Sequence, residues 1–370
     1  MAITAWTDRF PCRRLGDVSG IEWSTIWGDG PSGCHEASWR IDMDPNEHHP
    51  EFTRGKHVAL KTSAHPFWTG YVAGVERDTD GWLIKALGYA SMAATDYLAL
   101  DADGEPTSVP RDAVLAAMSR GLPWTFPIFA WPASTYQPVA DIDTAKVNTL
   151  AQLITAYAQA NGVHWTVRAD GILRFEADPT DPRWITRPGV GVMGVADDDY
   201  ITHLRLRYVS AVDPGPPVRP TQFSVTPPTE AANEVAAARW GRRERHVDRT
   251  GLGYMTDAVA EGLARSLFAR VQPRLGWSDP LTLDLTEITD PTNLMADRTE
   301  IQAGHRVRIH GVYDIRGALT AGPSVEVNLA EVKASAEGDS IYLAPVGLVA
   351  RDTEAILADV PYNPEEGFVA

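Results

Sequence analysis

Cysteine is almost absent: Cys12 and Cys34 are the only two in 370 residues. Two thiols build neither a disulfide framework nor a zinc site, so reduced, partly buried side chains are expected. Long apolar runs are missing as well. No stretch approaches the ~18 residues needed to cross a bilayer, and the first ten residues lack a basic region followed by an apolar core. A soluble chain with no membrane-spanning segment, made in a cytoplasm, is the expectation. Basic charge is scarce: 33 Lys and Arg stand against 49 Asp and Glu, a formal charge of −16. Phosphate contacts need clustered Lys and Arg, which argues against a nucleic-acid-binding surface. An acidic surface instead avoids sticking to DNA or to an anionic envelope.

Catalytic signatures are absent too. The chain has no Gly-x-Ser-x-Gly elbow, no phosphate loop and no His-Glu-x-x-His pair. Neither a catalytic residue nor a cofactor is expected. Adjacent Cys34 and His35 mean little, because catalytic partners meet in space rather than along the chain. His48-His49 lacks a third ligand at suitable spacing and reads as a loop. Asp101 and Asp112 have the spacing of a calcium loop, but Gly104 falls at the fourth position and Pro106 stands where the glycine is needed. A solvated acidic turn is the better reading, as it is for Asp197-Asp198-Asp199. Arg242, Arg243 and Arg245 form the one basic cluster. It reads either as a salt-bridged face or as a subunit interface that clasps acidic groups of a neighbour.

What the chain does contain is a repeated pattern. Gly55–Leu60, Trp68–Val75 and Asp80–Gly88 run parallel to Gly304–Ile309, Val325–Val332 and Gly338–Leu343. Val58 and Leu60 alternate with polar neighbours, as do Val307 and Ile309, which is the period of a half-buried strand. Asp80-Gly81 is a hairpin signal. Upstream of each copy lies another alternating strand, Ala37–Met43 in one and Leu281–Leu285 in the other. Val75 to Ile84 and Val332 to Ile341 span equal intervals. Two related antiparallel meanders follow, each expected to close into a small β-barrel.

The fold class expected is therefore mainly β, with two related antiparallel barrels and an inserted α+β helix–hairpin domain. Residues 1–90 make the first part of one barrel, with Trp23, Trp27 and Trp39 plugging it. Residues 91–195 form the insert: a short helix after Ser91, a second after Ser108-Val109-Pro110, a third from Asp143-Thr144 to Asn161, then a hairpin turning at Asp170-Gly171. Residues 196–212 return to the first barrel. Residues 213–277 form a proline-rich, extended linker and a helix from Thr256 that stops at Pro273. Residues 278–346 form the second barrel and 347–370 an arm.

The combination of Trp68-Thr-Gly70, Asp80-Gly81-Trp82 running to Gly88-Tyr89-Ala90, Gly241-Arg-Arg-Glu244 and Val247-Asp248 resembles the minor tail proteins of long-tailed actinobacteriophages, a group similar to the baseplate hub proteins of tailed phages. The resemblance is spread over residues 35–345 and rests on short motifs. It implies a structural virion protein of the tail tip, assembled in the host cytoplasm, with no catalytic residues to carry over. The expected assembly is a homotrimer whose six barrels adapt a six-fold tube to a three-fold tip, in contact with the distal tail, tail tube, tape-measure and tip proteins. DNA would pass through without being bound specifically. Twelve tryptophans motivate a different reading, a glycan-binding module for the cell wall, and scattered carboxylates motivate a third, a cell-wall hydrolase.

Overall fold

The computed structural model describes residues 3–7, 18–28, 30–42, 53–62, 65–78, 81–100, 104–125, 131–139, 147–187, 192–193, 195–196, 200–212, 222–225, 229–250, 254–272, 275–276, 280–313, 324–346 and 357. Two compact units divide the chain. The first comprises Met1–Val192, Ser278–Val312 and Ala321–Gly347, the second Met193–Trp277, Tyr313–Thr320 and Leu348–Ala370.

The first unit opens with strands β1 (Thr4–Thr7), β2 (Val18–Ile26), β3 (Ser32–Ile41), β4 (His57–Lys61), β5 (Pro66–Asp78) and β6 (Gly81–Gly88). They pair antiparallel in the order β1-β4-β5-β6-β3-β2. Alternation sets the two faces. Trp39 lies opposite Ile84 and Ile41 opposite Trp82, all four buried. Each such side chain contributes about 1.5–3 kcal/mol when fully withdrawn from water.

A 3-10 turn follows at Tyr89–Ala94, then α1 (Pro110–Ser119) and α2 (Leu150–Ala160). Proline sits in the first turn of α1, where its missing N–H costs nothing. Helix α2 starts later than the Asp143-Thr144 signal suggests. Thr149 accepts from Gln152 N–H while the Gln152 side chain accepts from Thr149 N–H, a reciprocal cap that sets the boundary. Strands β7 (His164–Val167) and β8 (Leu173–Glu176) form the expected hairpin. Val114, Leu153, Ile154, Trp165 and Leu173 share the core of this region. It is not a free-standing block, for β7 pairs parallel with β3 at Gly33 and Ser32. Gly33 is obligatory there: its φ is +110, and a Cβ would stand 2.1 Å from the Val167 carbonyl oxygen. Strand β9 (Trp184–Thr186) also falls inside the span assigned to the insert.

The chain then makes the short strands β10 (Val192–Met193) and β11 (Val195–Ala196) before β12 (His203–Arg207), β13 (Val209–Val212), β14 (Gln222–Val225), β15 (Thr229–Ala232), helix α3 (Glu234–Trp240), β16 (Glu244–Asp248), β17 (Tyr254–Met255), helix α4 (Asp257–Val271) and β18 (Leu275–Gly276). The second unit holds two three-stranded sheets, ordered β15-β12-β16 and β14-β13-β17. The segment expected to return to the first barrel is thus β12 and β13, whose partners among the described residues are β15 and β16 for the one and β14 and β17 for the other. Its apolar residues find a nearer partner: Leu204 and Leu206 pack with Ala260, Leu263, Leu267 and Val271 of α4. Thr256 caps α4 as the sequence indicates. The proline-rich stretch does hold a ladder, β13 with β14; Pro214, Pro216, Pro217 and Pro220 fall between those strands, outside the described residues.

The remaining strands are β19 (Leu281–Asp284), β20 (Ile288–Thr289), β21 (Arg306–Ile309), β22 (Val312–Tyr313), β23 (Val325–Ser335) and β24 (Ser340–Pro345), all of the first unit except Tyr313. The order β21-β23-β24-β19 repeats the order β4-β5-β6-β3. Leu60 lies opposite Trp68 as Ile309 lies opposite Val325. A bulge falls at the equivalent place, between Val72 and Gly74 in one run and between Leu329 and Glu331 in the other. The following hairpin differs. Val75 faces Ile84, but Val332 faces Leu343 rather than Ile341, so the equal sequence intervals do not mark equal registers.

The expectation of two closed barrels is overturned. Strands β2 and β23 pair antiparallel, Glu22 with Ser335 through Ile26 with Glu331, and merge the two runs into one 14-stranded sheet. Its main path runs from β1 at one end to β20 at the other without closing. The physical reason is the length of β23. Eleven residues give it room to pair with β21 along Val325–Asn328 and with β2 along Glu331–Ser335, so the edge that would close a second barrel is taken by the first run. Strand β9 joins the same sheet, parallel to β21 and antiparallel to β20.

Candidate functional site

The predicted arginine cluster lies on and beside β16 in the second unit. Arg242 reaches Glu244 at 3.2 Å and Glu230 at 3.8 Å, and Arg205 reaches Glu244 at 3.0 Å. Partial desolvation works against the charged form of Glu244, yet Arg205, Arg242 and His246 hold its carboxyl below the ordinary carboxylate range. The Arg243 guanidinium lies 4.1 Å from the centre of the Tyr200 ring. All three arginines are exposed. Arg242 thus takes part in a salt-bridged face of its own unit, and none of the three arginines is without a partner.

A larger feature lies on the first unit. Seven adjacent strands, β5-β6-β3-β2-β23-β24-β19, line an open groove of about 830 Å³ whose wall includes Trp23, Leu87 and Tyr342 beside small and charged residues. At ~4.8 Å per strand spacing the face is roughly 29 Å wide. Register places its side chains in two rows. One runs Gly74, Lys85, Ser38, Glu22 and Ser335. In the other, Leu87 lies beside Glu36, and Ser24 begins the series Lys333, Tyr342 and Thr282. Small residues keep the wall low between the charges.

Those charges are arranged unevenly. Lys85 Nζ lies 2.5 Å from Glu76, and Lys333 Nζ lies 3.1 Å from Glu331. The hydrogen bond to Glu331 holds the Lys333 ammonium above its ordinary pKa. Among the described residues neither Glu22 nor Glu36 closes a salt bridge. The lysines of this face are thus paired locally, Lys333 also lying in the field of Glu36, and with Glu76 and Glu331 counted the carboxylates outnumber them. A polyanion meets no free cation there and a weak repulsive field.

Comparison with solved structures places this architecture. The chain shares the fold of a prophage tail protein. The 43 kDa tail protein of prophage MuSo2 from Shewanella oneidensis aligns over 94% of this chain and 98% of that one, at 11% identity and a TM-score of 0.50. The tail protein from Neisseria meningitidis MC58 aligns over 93% and 95% at 12% identity (TM-score 0.48). Prophage tail protein gp18 from Listeria monocytogenes EGD-e aligns over 96% and 97% at 11% identity (TM-score 0.46). No family model matches the chain, and no curated protein matches it.

Sequence reasoning found the arginines but missed the groove. Alternating small and charged residues such as Ser24, Glu36, Ser38 and Lys85 read only as solvent-facing positions, and nothing local shows that seven strands bring them to one concave face. Among the described residues no three His, Cys, Asp or Glu side chains converge as a metal-ligand set. His48-His49, Asp101–Asp103, Asp197–Asp199 and Cys12 lie outside the described residues. Cys34 is a buried free thiol, pushed up to about 12 by burial.

Proposed function

We propose that this protein is a structural component of a phage tail, a hub at the distal end of the tail tube that adapts a six-fold tube to a three-fold tip. The observation that carries this reading is the seven-strand concave face, on a fold shared with a prophage tail protein. A wall of small residues interspersed with charges, lysines already paired, and an excess of carboxylates suits a passage through which DNA moves without adhering. The repeated run β4-β5-β6-β3 and β21-β23-β24-β19 supports the symmetry argument. Three copies, each presenting two related runs, offer six quasi-equivalent surfaces to a six-fold tube. The helical segment around α1 and α2 contributes no residue to the groove and belongs on the outside of such a ring.

In this reading the protein acts as a homotrimer in the virion, assembled in the host cytoplasm, and it catalyses nothing. Its neighbours are the tube, the distal tail protein, the tape-measure protein and the tip proteins. Assignment to an actinobacterial phage rests on the sequence resemblance alone. Arg242, Arg243 and Arg245, exposed on and beside β16, would meet carboxylates across a subunit boundary by exchanging their present partners. A reconstruction of the tail tip by electron microscopy tests this. Three copies per ring with the groove turned toward the axis are expected. Six whole copies per ring, or a groove facing outward, overturns the reading.

A further inference from the structure

The loop between β20 and β21 presents two large apolar side chains to water. Leu294 is 67% exposed and its neighbour Met295 64% exposed. Adjacent exposed apolar residues are common on mobile tips, but this loop is built to hold them still. The Asp290 carboxylate accepts from Thr292 N–H at 2.8 Å, Thr292 Oγ1–H at 2.7 Å and Leu294 N–H at 2.9 Å. These bonds hold its carboxyl below the ordinary range. Asp290 N–H in turn donates to the Leu294 carbonyl, and Ala296 N–H to the carbonyl of the fully buried Ile288. Asn293 takes φ +65, the one non-glycine residue in the left-handed region among the described residues. The backbone is thus held in a sparsely populated conformation while two side chains are denied burial.

The base of the loop is equally fixed. Arg298 donates to the carbonyls of Ser335 at 2.7 Å, Ala336 at 3.1 Å and Gly338, anchoring the loop to the β23–β24 hairpin. Around the apolar pair the charge is one-sided. Asp284, Glu287, Asp290, Asp297 and Glu300 surround it in sequence, and the single cation of that span, Arg298, is spent on the hairpin. A preorganised apolar tip flanked in sequence by acidic residues has the makings of an interface anchor, in which the apolar centre is desolvated and the charges beside it select the partner.

We propose that Leu294 and Met295 form a docking knob that enters an apolar pocket rimmed by lysine and arginine on a different protein of the tail. This rests on the tail reading above. A second copy of this chain is a poor host, because its net charge is −16 and the tail reading already commits its arginine cluster to a different contact.

The test uses intact tails purified from infected cells producing the full chain. Leu294→Lys with Met295→Lys is expected to fold normally by circular dichroism and melting, yet to lower incorporation into tails at least ten-fold. Val235→Lys, equally exposed but elsewhere, is expected to incorporate normally. Independently, benzoylphenylalanine placed at position 295 is expected to cross-link, within tails, to a peptide of another tail protein that carries apolar residues and at least two Lys or Arg. Normal incorporation of the double variant overturns the proposal, as does a cross-link to a second copy of this chain, to a peptide without basic residues, or to nothing. If the unmodified protein is absent from tails, the tail reading falls and this proposal with it. Presence of the unmodified chain together with normal incorporation of the double variant removes the knob alone.

Discussion

Gly304 lies against the face of the Trp27 indole, so close that a Cβ on Gly304 would stand 2.5 Å from Trp27 Cε3. Its N–H donates to the Leu329 carbonyl at 2.8 Å, next to the bulge of β23, so the contact sits where the two strand runs merge. Its φ of +83 adds a conformational demand. Gly304→Ala is expected to cost roughly 2–4 kcal/mol, combining left-handed strain with overpacking. Urea unfolding measures this. Adding Trp27→Leu should recover part of the loss, and strict additivity of the two changes would show that ring contact is not the cause.

Histidine 305 should make stability fall on acidification. Its Nδ1 accepts from Trp184 Nε1–H at 3.1 Å and from Gln302 N–H at 3.3 Å. Burial, then the nearby Arg183 and Arg168, lowers its pKa to about 3. Because the unfolded imidazole titrates near its ordinary value, the unfolded state gains the proton first. Stability from this group is full above pH ~6.5 and drains by at most about 1.4 kcal/mol per pH unit down to pH ~3. Urea midpoints across that window, compared with His305→Gln, should show the slope of the variant reduced. An unchanged slope would rule out His305 as its source.

The Cys34 thiol has the opposite sign. With its pKa pushed up to about 12 by burial, it stays protonated while an unfolded thiol ionises near 9. Its contribution is intact below pH ~9 and is lost as pH rises toward 12. In a Cys12→Ala background, a thiol reagent at pH 8 should leave Cys34 untouched until denaturant is added. Labelling of the native protein within minutes would contradict the burial of this side chain.

Removing the arginine cluster should separate stability from assembly. The Arg242 pairs are half-exposed, and exposed ion pairs contribute little. Arg242→Ala with Arg245→Ala is expected to shift the melting temperature by no more than about 2 °C. If the cluster meets a neighbouring subunit, the same variant should enter tails several-fold less well. Unimpaired assembly would leave it a surface network of its own unit.

Purified protein incubated with bacterial cell walls should release no sugars and leave turbidity unchanged, since neither a nucleophile motif nor a metal-ligand set among the described residues supports hydrolysis. Clearing that survives repurification would restore the hydrolase reading.

Much of the strand content was legible because its cause is local. The alternation of Val58 and Leu60, and of Val307 and Ile309, states which face is buried whatever the strand pairs with. The cap at Thr256 and the turn at Asp170-Gly171 are equally local. Long-range edges were not legible. Nothing near Glu22 announces Ser335 as its partner, and nothing in Leu204 or Leu206 distinguishes a sheet in the first unit from the α4 packing that claims them. Thr149 does not stand out in the sequence because Asp143-Thr144 offers an equivalent cap signal six residues earlier. The groove is invisible for the same reason as the merged sheet: its wall exists only once β2 and β23 have met.

That meeting has a consequence for how the chain is made. Strand β2 leaves the ribosome roughly 300 residues before its partner β23, an interval of ~15–60 s at ordinary translation rates. Throughout it, the β2 edge that β23 will cover exposes unpaired N–H and carbonyl groups beside Trp23 and Ile21, which is a template for pairing with another nascent chain. Production of this protein is therefore expected to depend on what guards that edge during synthesis. Stop codons placed before Val325 should yield aggregates rather than a smaller folded protein, even though most of the first strand run would be complete.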